Sequence, residues 1–484
     1  MLALIISLIS FFLPAEIEQV SSLTVADSVK HPVKLPVVTS DSLGRFVQIN
    51  RIFIIGNRVT RDPIILRELT LKAGDYVYST DLPGVLELDK KKLINTRLFN
   101  TVEIRTLDLE TDRIDLLIDI NERWYTFPSP IFELSDRNFN EWWQNYNHDL
   151  NRVNFGLRLY QFNMRGRNET LRFLAQFGFS RRFGITYRFP YIDKKQKQGL
   201  ILDFDFMETK NLAYRTAEHK LVYLESDNIV RTTRGGGITY TYRPSFYQSH
   251  ALSVSYKSTD ISDTIAHLNP NYLGSERTRQ RYSILSYQFS SDHRDYIGYP
   301  LRGYYLLANV TKSGLVSSDN LDKLEITATY ARFLDLKNGF FLSNYTVGYW
   351  SNPTNLPYYN YGALGYQKQI IRGYEVYVIE GPEYALNKTT FKKKIFGKTY
   401  HWGAMPIQQF RHIPLAIYLK TYADIGYVNN YPHYTINNQL TNKILSGIGG
   451  GIDVVGSYDT VLRFEYTYNA EGKHGFFFNF RKEF

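Results

Sequence analysis

From about Thr126 to Phe484 the chain keeps returning to one pattern, in which apolar and polar residues alternate one for one. Val153, Phe155, Leu157 and Leu159 alternate with Asn154, Gly156 and Arg158. Phe183, Ile185, Tyr187 and Phe189 oppose Arg182, Gly184, Thr186 and Arg188. Leu200, Leu202, Phe204 and Phe206 oppose Asp203 and Asp205, and Leu462, Phe464, Tyr466 and Tyr468 oppose Arg463, Glu465 and Thr467. Successive side chains of a strand point to opposite faces, so each run makes a strand with one apolar and one polar face. A soluble β-sandwich also alternates. Here the polar faces carry charges of both signs, strand after strand, and no helical pattern intervenes to cover an inner core. A barrel with lipid outside and a wet lumen accounts for this best.

Composition agrees with that architecture where it bears on it. The 39 Tyr and 31 Phe suit strands and interfacial girdles. No apolar run of about 18 residues follows the N-terminus, so no transmembrane helix is expected in the mature chain. Cysteine is absent, which excludes a disulfide framework and thiolate metal sites. The formal charge of +10 is spread over many strands, which argues against nucleic-acid binding.

The pattern yields about sixteen strands. Short connections, such as Arg165 to Asn168 and Gly456 to Asp459, alternate with longer ones near 260–279 and 429–443. That is the asymmetry of short turns on one side of a membrane and long loops on the other. One connection, about 396–413 between strands expected at 383–395 and 414–427, is too long for its side. The stretch 211–228 is the hardest to assign.

Ahead of the barrel, Leu2 to Leu13 has the length of a signal-peptide apolar core, without a basic residue before it. The expected organisation is a signal peptide at 1–15, a linker at 16–45, a small α/β domain at 46–123 and the barrel at 126–484. In the small domain a strand ends at Gly56-Asn57, and Thr60 and Pro63 open a helix. A second helix begins near Ser79 or Thr80, with Leu82, Leu86 and Leu93 on one face. Two strands follow, giving the order β-α-α-β-β. The final strand places Phe476, Phe478, Phe480 and Phe484 on the lipid side, opposite Asn479, Arg481 and Glu483.

The small domain, with Gly56-Asn57, Thr60, Gly74-Asp75, Leu98-Phe99 and Glu122-Arg123-Trp124, resembles a polypeptide-transport-associated (POTRA) domain. Several barrel motifs resemble the BamA/TamA superfamily of outer-membrane assembly factors. Asp292-His293-Arg294-Asp295, with Pro300 and Gly303, is similar to its strand-turn-strand motif. Tyr422-Ala423-Asp424-Ile425-Gly426 is similar to its aromatic-x-Asp-x-Gly strand, and Ile371-Arg372-Gly373-Tyr374 to its loop tip. Asn163 to Gly166 and Ser135 to Asn138 fit as well. The resemblance implies a membrane all-β fold, an antiparallel transmembrane β-barrel of about 16 strands preceded by one periplasmic POTRA domain. It also implies that the loop before the twelfth strand enters the lumen and pairs Arg372 with Asp424, either bracing the loop or gating the barrel. The aromatic C-terminal strand looks like a signal read by barrel assembly machines.

For function, the resemblance implies a non-enzymatic outer-membrane insertase or translocase. Its partners would be unfolded outer-membrane or secreted polypeptides, outer-membrane lipid and accessory periplasmic or lipoprotein subunits. Two other readings stay open, a secretion pore for one dedicated partner and a passive porin. No Gly-x-Ser-x-Gly, metal-ligand spacing or phosphate loop is present, so no catalytic residue, metal or other cofactor is expected.

Overall fold

The computed structural model describes residues 45–484 apart from 111, 135–141, 143–146, 366–368, 404–411, 433, 457–459 and 483–484. The signal peptide, all of the linker but Arg45, Ser135 to Asn138 and Phe484 therefore lie outside the described residues, as does the side chain of Phe480.

The small α/β unit contains β1 (Phe46–Ile55), α1 (Asp62–Leu66), β2 (Tyr76–Tyr78), α2 (Leu82–Asn95), β3 (Phe99–Glu110) and β4 (Arg113–Glu122). Its sheet runs β2-β1-β4-β3, with β1 parallel to β4 and the other pairs antiparallel. Two details depart from the expected order. A three-residue strand, β2, lies between the helices, where Tyr76 and Tyr78 on either side of Val77 were too short a run to register as a strand. Thr60 does not cap α1. Arg61 occupies the cap position without a side-chain bond, and α2 likewise starts behind Asp81 rather than Ser79 or Thr80. The Thr60 hydroxyl is instead taken by Glu122 at 2.6 Å and Tyr125 at 3.0 Å. Ile64, Ile65, Leu93, Leu98, Phe99 and Ile118 form the core.

The barrel wall is one sixteen-strand antiparallel sheet. Its members are β5 (Thr126–Leu134), β6 (Val153–Met164), β7 (Glu169–Gly178), β8 (Ser180–Phe189), β9 (Gln198–Thr209), β12 (Arg231–Tyr242), β13 (Gln248–Ile261), β14 (Arg279–Asp292), β15 (Gly303–Ser313), β16 (Lys323–Asp335), β17 (Phe340–Asn352), β20 (Glu383–His401), β21 (His412–Asn429), β22 (Ile444–Val455), β23 (Thr460–Asn469) and β24 (His474–Lys482). The uncertain stretch after β9 forms a separate hairpin, β10 (Leu212–Ala217) with β11 (Lys220–Leu224). One short helix, α3 (Asp263–Leu268), lies between β13 and β14, so the barrel is not wholly free of helix. Within the loop between β17 and β20, β18 (Ala363–Leu364) pairs with β19 (Ile379–Glu380).

Alternation translates directly into two surfaces. On β21 Tyr422, Asp424, Gly426 and Val428 are buried, whereas Thr421, Ala423 and Ile425 are exposed. On the last two strands Phe464, Tyr466, Phe476 and Phe478 are exposed on the outer wall while Glu465 and Thr467 are buried. Such an exposed apolar outer face suits lipid.

The described part of the overlong connection near 396–413 is mostly strand. β20 continues to His401 and pairs with β21 as far as His412. Pairing with β17 stops at Lys393 and pairing with β22 starts only at Ala416. The last residues of β20 therefore form a two-stranded ribbon beyond the rim, with a bulge between Lys394 and Phe396. The lysines at 392–394, Gly397 and Pro414 disguised it, because such residues ordinarily mark the ends of strands.

Several short connections meet the small domain and so define one end of the barrel. Arg61 N–H donates to the Gly166 carbonyl at 3.0 Å, and Asn163 Nδ2 donates to Thr60 Oγ1 at 2.8 Å. Arg243 donates to Glu68, which is almost fully buried, at 2.9 Å. Tyr191, from the connection after β8, enters the small domain's apolar core. A Cβ at Gly166, whose φ is +68°, would strike the Val59 carbonyl, so glycine is required by both conformation and contact.

Candidate functional site in the barrel lumen

The loop of residues 353–382 enters the barrel from the end opposite the small domain. Ile371, Tyr374, Tyr377 and Ile379 bury themselves against wall residues Val347, Tyr384, Leu386, Val428 and Leu445. This apolar packing sets the depth of the tip. Three glycines then let it touch the wall. Gly373 has φ +92°, and a side chain there would press on Thr467 and Asn469. A Cβ at Gly447 would collide with the Arg372 carbonyl oxygen, and one at Gly426 with the Ile371 side chain.

Arg372 is thereby laid along β21. Its backbone N–H and its Nε donate to Asp424 Oδ2 at 3.0 and 2.9 Å, and Nη2 reaches Oδ1. The same guanidinium lies 3.7 Å from the centre of the Tyr422 ring and donates to Thr390 Oγ1 at 3.2 Å. Asn469 Nδ2 holds the Gly373 carbonyl at 2.6 Å. Asp424 is fully buried. Burying a carboxylate is tolerable only with such compensation, and the planar fork of arginine supplies it along two edges.

The network extends further than the motif. Arg372 Nη1 approaches Glu465 Oε1 at 3.5 Å. Lys420 joins Glu465 at 2.7 Å to Asp453, and Tyr299 donates to Asp453 Oδ2 at 2.8 Å. Lys392 lies 4.2 Å above the Tyr299 ring. Tyr299 belongs to the connection between β14 and β15, at the small-domain end, where Asn95 of α2 also donates to the Asp295 carbonyl. A chain of alternating charges thus runs from the inward loop tip to the opposite end of the barrel.

Glu465, Lys420, Asp453 and Tyr299 were not singled out as a set by the sequence. Glu465, Lys420 and Asp453 sit on the lumen faces of their strands, so the alternation located those faces, whereas Tyr299 comes from the turn before β15. Register alone decides that they meet, and Lys420 and Asp453 lie on adjacent strands offset by two residues.

The other motif residues hold local geometry. Arg294 is clamped by Asp292 at 2.8 Å. Asp295 accepts the N–H groups of Tyr296, Leu301 and Arg302 through one oxygen. This shapes the 293–302 turn that carries Pro300 and delivers Tyr299, and Gly303, with φ +98°, starts β15. None of these residues touches Arg372. Phe476 and Phe478 lie on the outer wall, over half exposed.

A sixteen-strand antiparallel barrel with an apolar outside, a charged lumen, an inward loop and an α/β domain at one end defines a membrane-spanning β-barrel of the outer-membrane type. Residues 163–484 match the Omp85 superfamily domain. Residues 47–123 match the POTRA family, described as a surface antigen variable number repeat. The chain belongs to the Omp85 superfamily and carries a POTRA domain. Among solved structures it is similar to BamA from Haemophilus ducreyi lacking POTRA domains 1-3, at 14% identity and a TM-score of 0.52, over 89% of this chain and 84% of that one. It is also similar to CdiB from Escherichia coli, at 9% identity and a TM-score of 0.50, over 93% and 91% of the two chains. At these identities the likeness concerns the fold. No curated protein sequence matches the chain.

Proposed function

We propose that this protein captures unfolded polypeptide in the periplasm and assists its insertion into, or passage across, the outer membrane of a Gram-negative bacterium. In this reading residues 46–123 are the capture domain and residues 126–484 the membrane barrel, with residues 1–15 a signal peptide and 16–45 a linker. Accessory periplasmic or lipoprotein subunits are compatible with it. The observation that carries it is the pair of ladder ends. The sheet runs from β24 to β5, and among the described residues no backbone pairing joins the two. β5 holds Pro128 and Pro130, which offer no N–H to a new neighbour. An incoming strand could pair there with main-chain bonds alone and little demand on its sequence. The outer sheet edges of the small domain suit transient holding of extended chain in the same way.

A passive porin needs an open lumen, and the inward loop fills part of this one. A dedicated secretion pore would require that loop to leave. The chain has no cysteine, so a single engineered pair, one cysteine in β5 and one in β24, tests the seam cleanly. The oxidised form should remain folded and lose client insertion, and reduction should restore it. Full activity of the oxidised form refutes the seam mechanism. Planar-bilayer conductance, measured with and without Arg372, separates an insertase from a pore.

A further inference from the structure

At the end of the barrel opposite the small domain, the β10–β11 hairpin and the long inward loop roof a cavity of about 370 Å³ against the wall. Five tyrosines, at 223, 272, 358, 359 and 361, supply much of its lining. Two side chains of opposite charge also line it, Arg231 from the start of β12 and Glu380 from β19. They do not pair with each other, and neither has an oppositely charged carboxylate or cation beside it among the described residues.

Each is only half satisfied. Glu380 is 3% exposed, and Oε1 accepts from Thr216 at 2.6 Å. Its Oε2 makes no hydrogen bond of normal geometry, although the side chains of Tyr434 and Asn437 also stand beside this carboxyl. Arg231 donates from Nη1 to Tyr272 at 3.3 Å, and its guanidinium lies 5.6 Å from the centre of the Tyr359 ring. Its Nε has no partner. Thr209 Oγ1, on the same lining, is also buried and unpartnered. Lys257 lies 4.8 Å from the Tyr359 ring centre and adds positive charge at the Arg231 end.

Buried charges that are neither paired nor fully hydrogen-bonded are costly, and proteins retain them where something completes the set. A simple anion would suit Arg231 but meet the Glu380 carboxylate. A simple cation would have the converse difficulty. We propose that this cavity binds a small zwitterion, in which an oxyanion and a primary ammonium are separated by a few bonds. The oxyanion takes Arg231 Nε and Thr209 Oγ1, where the planar fork matches two oxygens. The ammonium takes Glu380 Oε2 and the tyrosine faces. Aminoethyl phosphate, the headgroup chemistry of a common lipid, and a free α-amino acid both have this form.

The test is isothermal titration of the purified full-length protein in detergent with O-phosphoethanolamine, L-serine, orthophosphate and ethanolamine as separate probes. One of the two zwitterions should bind at least tenfold more tightly than orthophosphate or ethanolamine, and which one does so identifies the source. Arg231→Gln and Glu380→Gln should each weaken it at least tenfold. Thermal unfolding of the unliganded variants shows that the barrel survives, and Thr209→Val provides a milder variant that leaves both charges in place. Absence of zwitterion binding, equal binding of orthophosphate alone, or equal binding by all variants would overturn the proposal. None of these readouts depends on client insertion.

Discussion

Arg372 and Asp424 face each other across the lumen, one on a loop tip and one on the wall, with Nε 2.9 Å from Oδ2 and the loop backbone N–H on the same oxygen. Removing Arg372 takes from the buried Asp424 the cation that clamps it, and removing Asp424 leaves Arg372 only the longer contact with Glu465. Such losses cost about 3–5 kcal/mol. Arg372→Ala should therefore release the loop tip, lower the unfolding temperature of the barrel and impair client insertion. Arg372→Lys should rescue little, since a point charge cannot reproduce two parallel donors. Heat-modifiability on gels and an insertion assay check both. Unchanged stability and unchanged activity of Arg372→Ala would remove this pair from the mechanism, whether as brace or as gate.

Gly447 tests the same contact without touching a charge. Its missing side chain is the space that the Arg372 carbonyl occupies. Gly447→Ala should push the tip off the wall and expose 371–374 to protease, although alanine suits the strand itself. Gly450, three residues further along the same strand, where a Cβ would make only an ordinary contact with the Lys420 carbonyl, is the control. Gly450→Ala should leave digestion unchanged.

Much of this site was legible because β-structure writes its faces into sequence. Asp424 had to face the lumen once Ala423 and Ile425 faced lipid. What period two cannot give is offset between strands, so Lys420 meeting both Asp453 and Glu465 had to await the register. Reach is a second blind spot. The β20–β21 ribbon was missed because Lys394, Gly397 and Pro414 read as strand ends. The cavity beside Arg231 was invisible for a third reason, since its wall strands are closed over by a hairpin and a long loop whose contacts are set by tertiary packing alone.

The small domain is fastened to the barrel by Glu68 with Arg243, Thr60 with Asn163, and Tyr191 in the domain's core. Glu68 is buried and Arg243 is partly so, which makes this pair stronger than a surface bridge. Glu68→Ala and Arg243→Ala should each raise amide exchange in α1 and in the connection after β12. The double variant should cost less than the sum of the two, because the second change no longer strands a charge. Additive effects would mean that the pair carries no coupling.

His219, at the turn of the β10–β11 hairpin, offers a pH-dependent handle on the loops at the other end. It is 1% exposed, and its Nε2 accepts the Leu440 N–H at 3.0 Å, so the ring is neutral in the folded state. Burial pushes its pKa below the usual 6.5. The unfolded hairpin therefore binds the proton more readily than the folded one, and the linkage has a definite sign. Stability of this contact is complete above about pH 6.5 and falls as the pH drops below it, toward the lowered folded pKa. Protection of the 216–221 and 437–441 amides, taken relative to their intrinsic exchange rates, should fall as the pH is lowered from 7.5 to 5. His219→Asn removes the titration and should flatten that dependence, while the barrel strands keep theirs. Equal pH profiles for His219→Asn and the unaltered protein would show that another group loosens the loops.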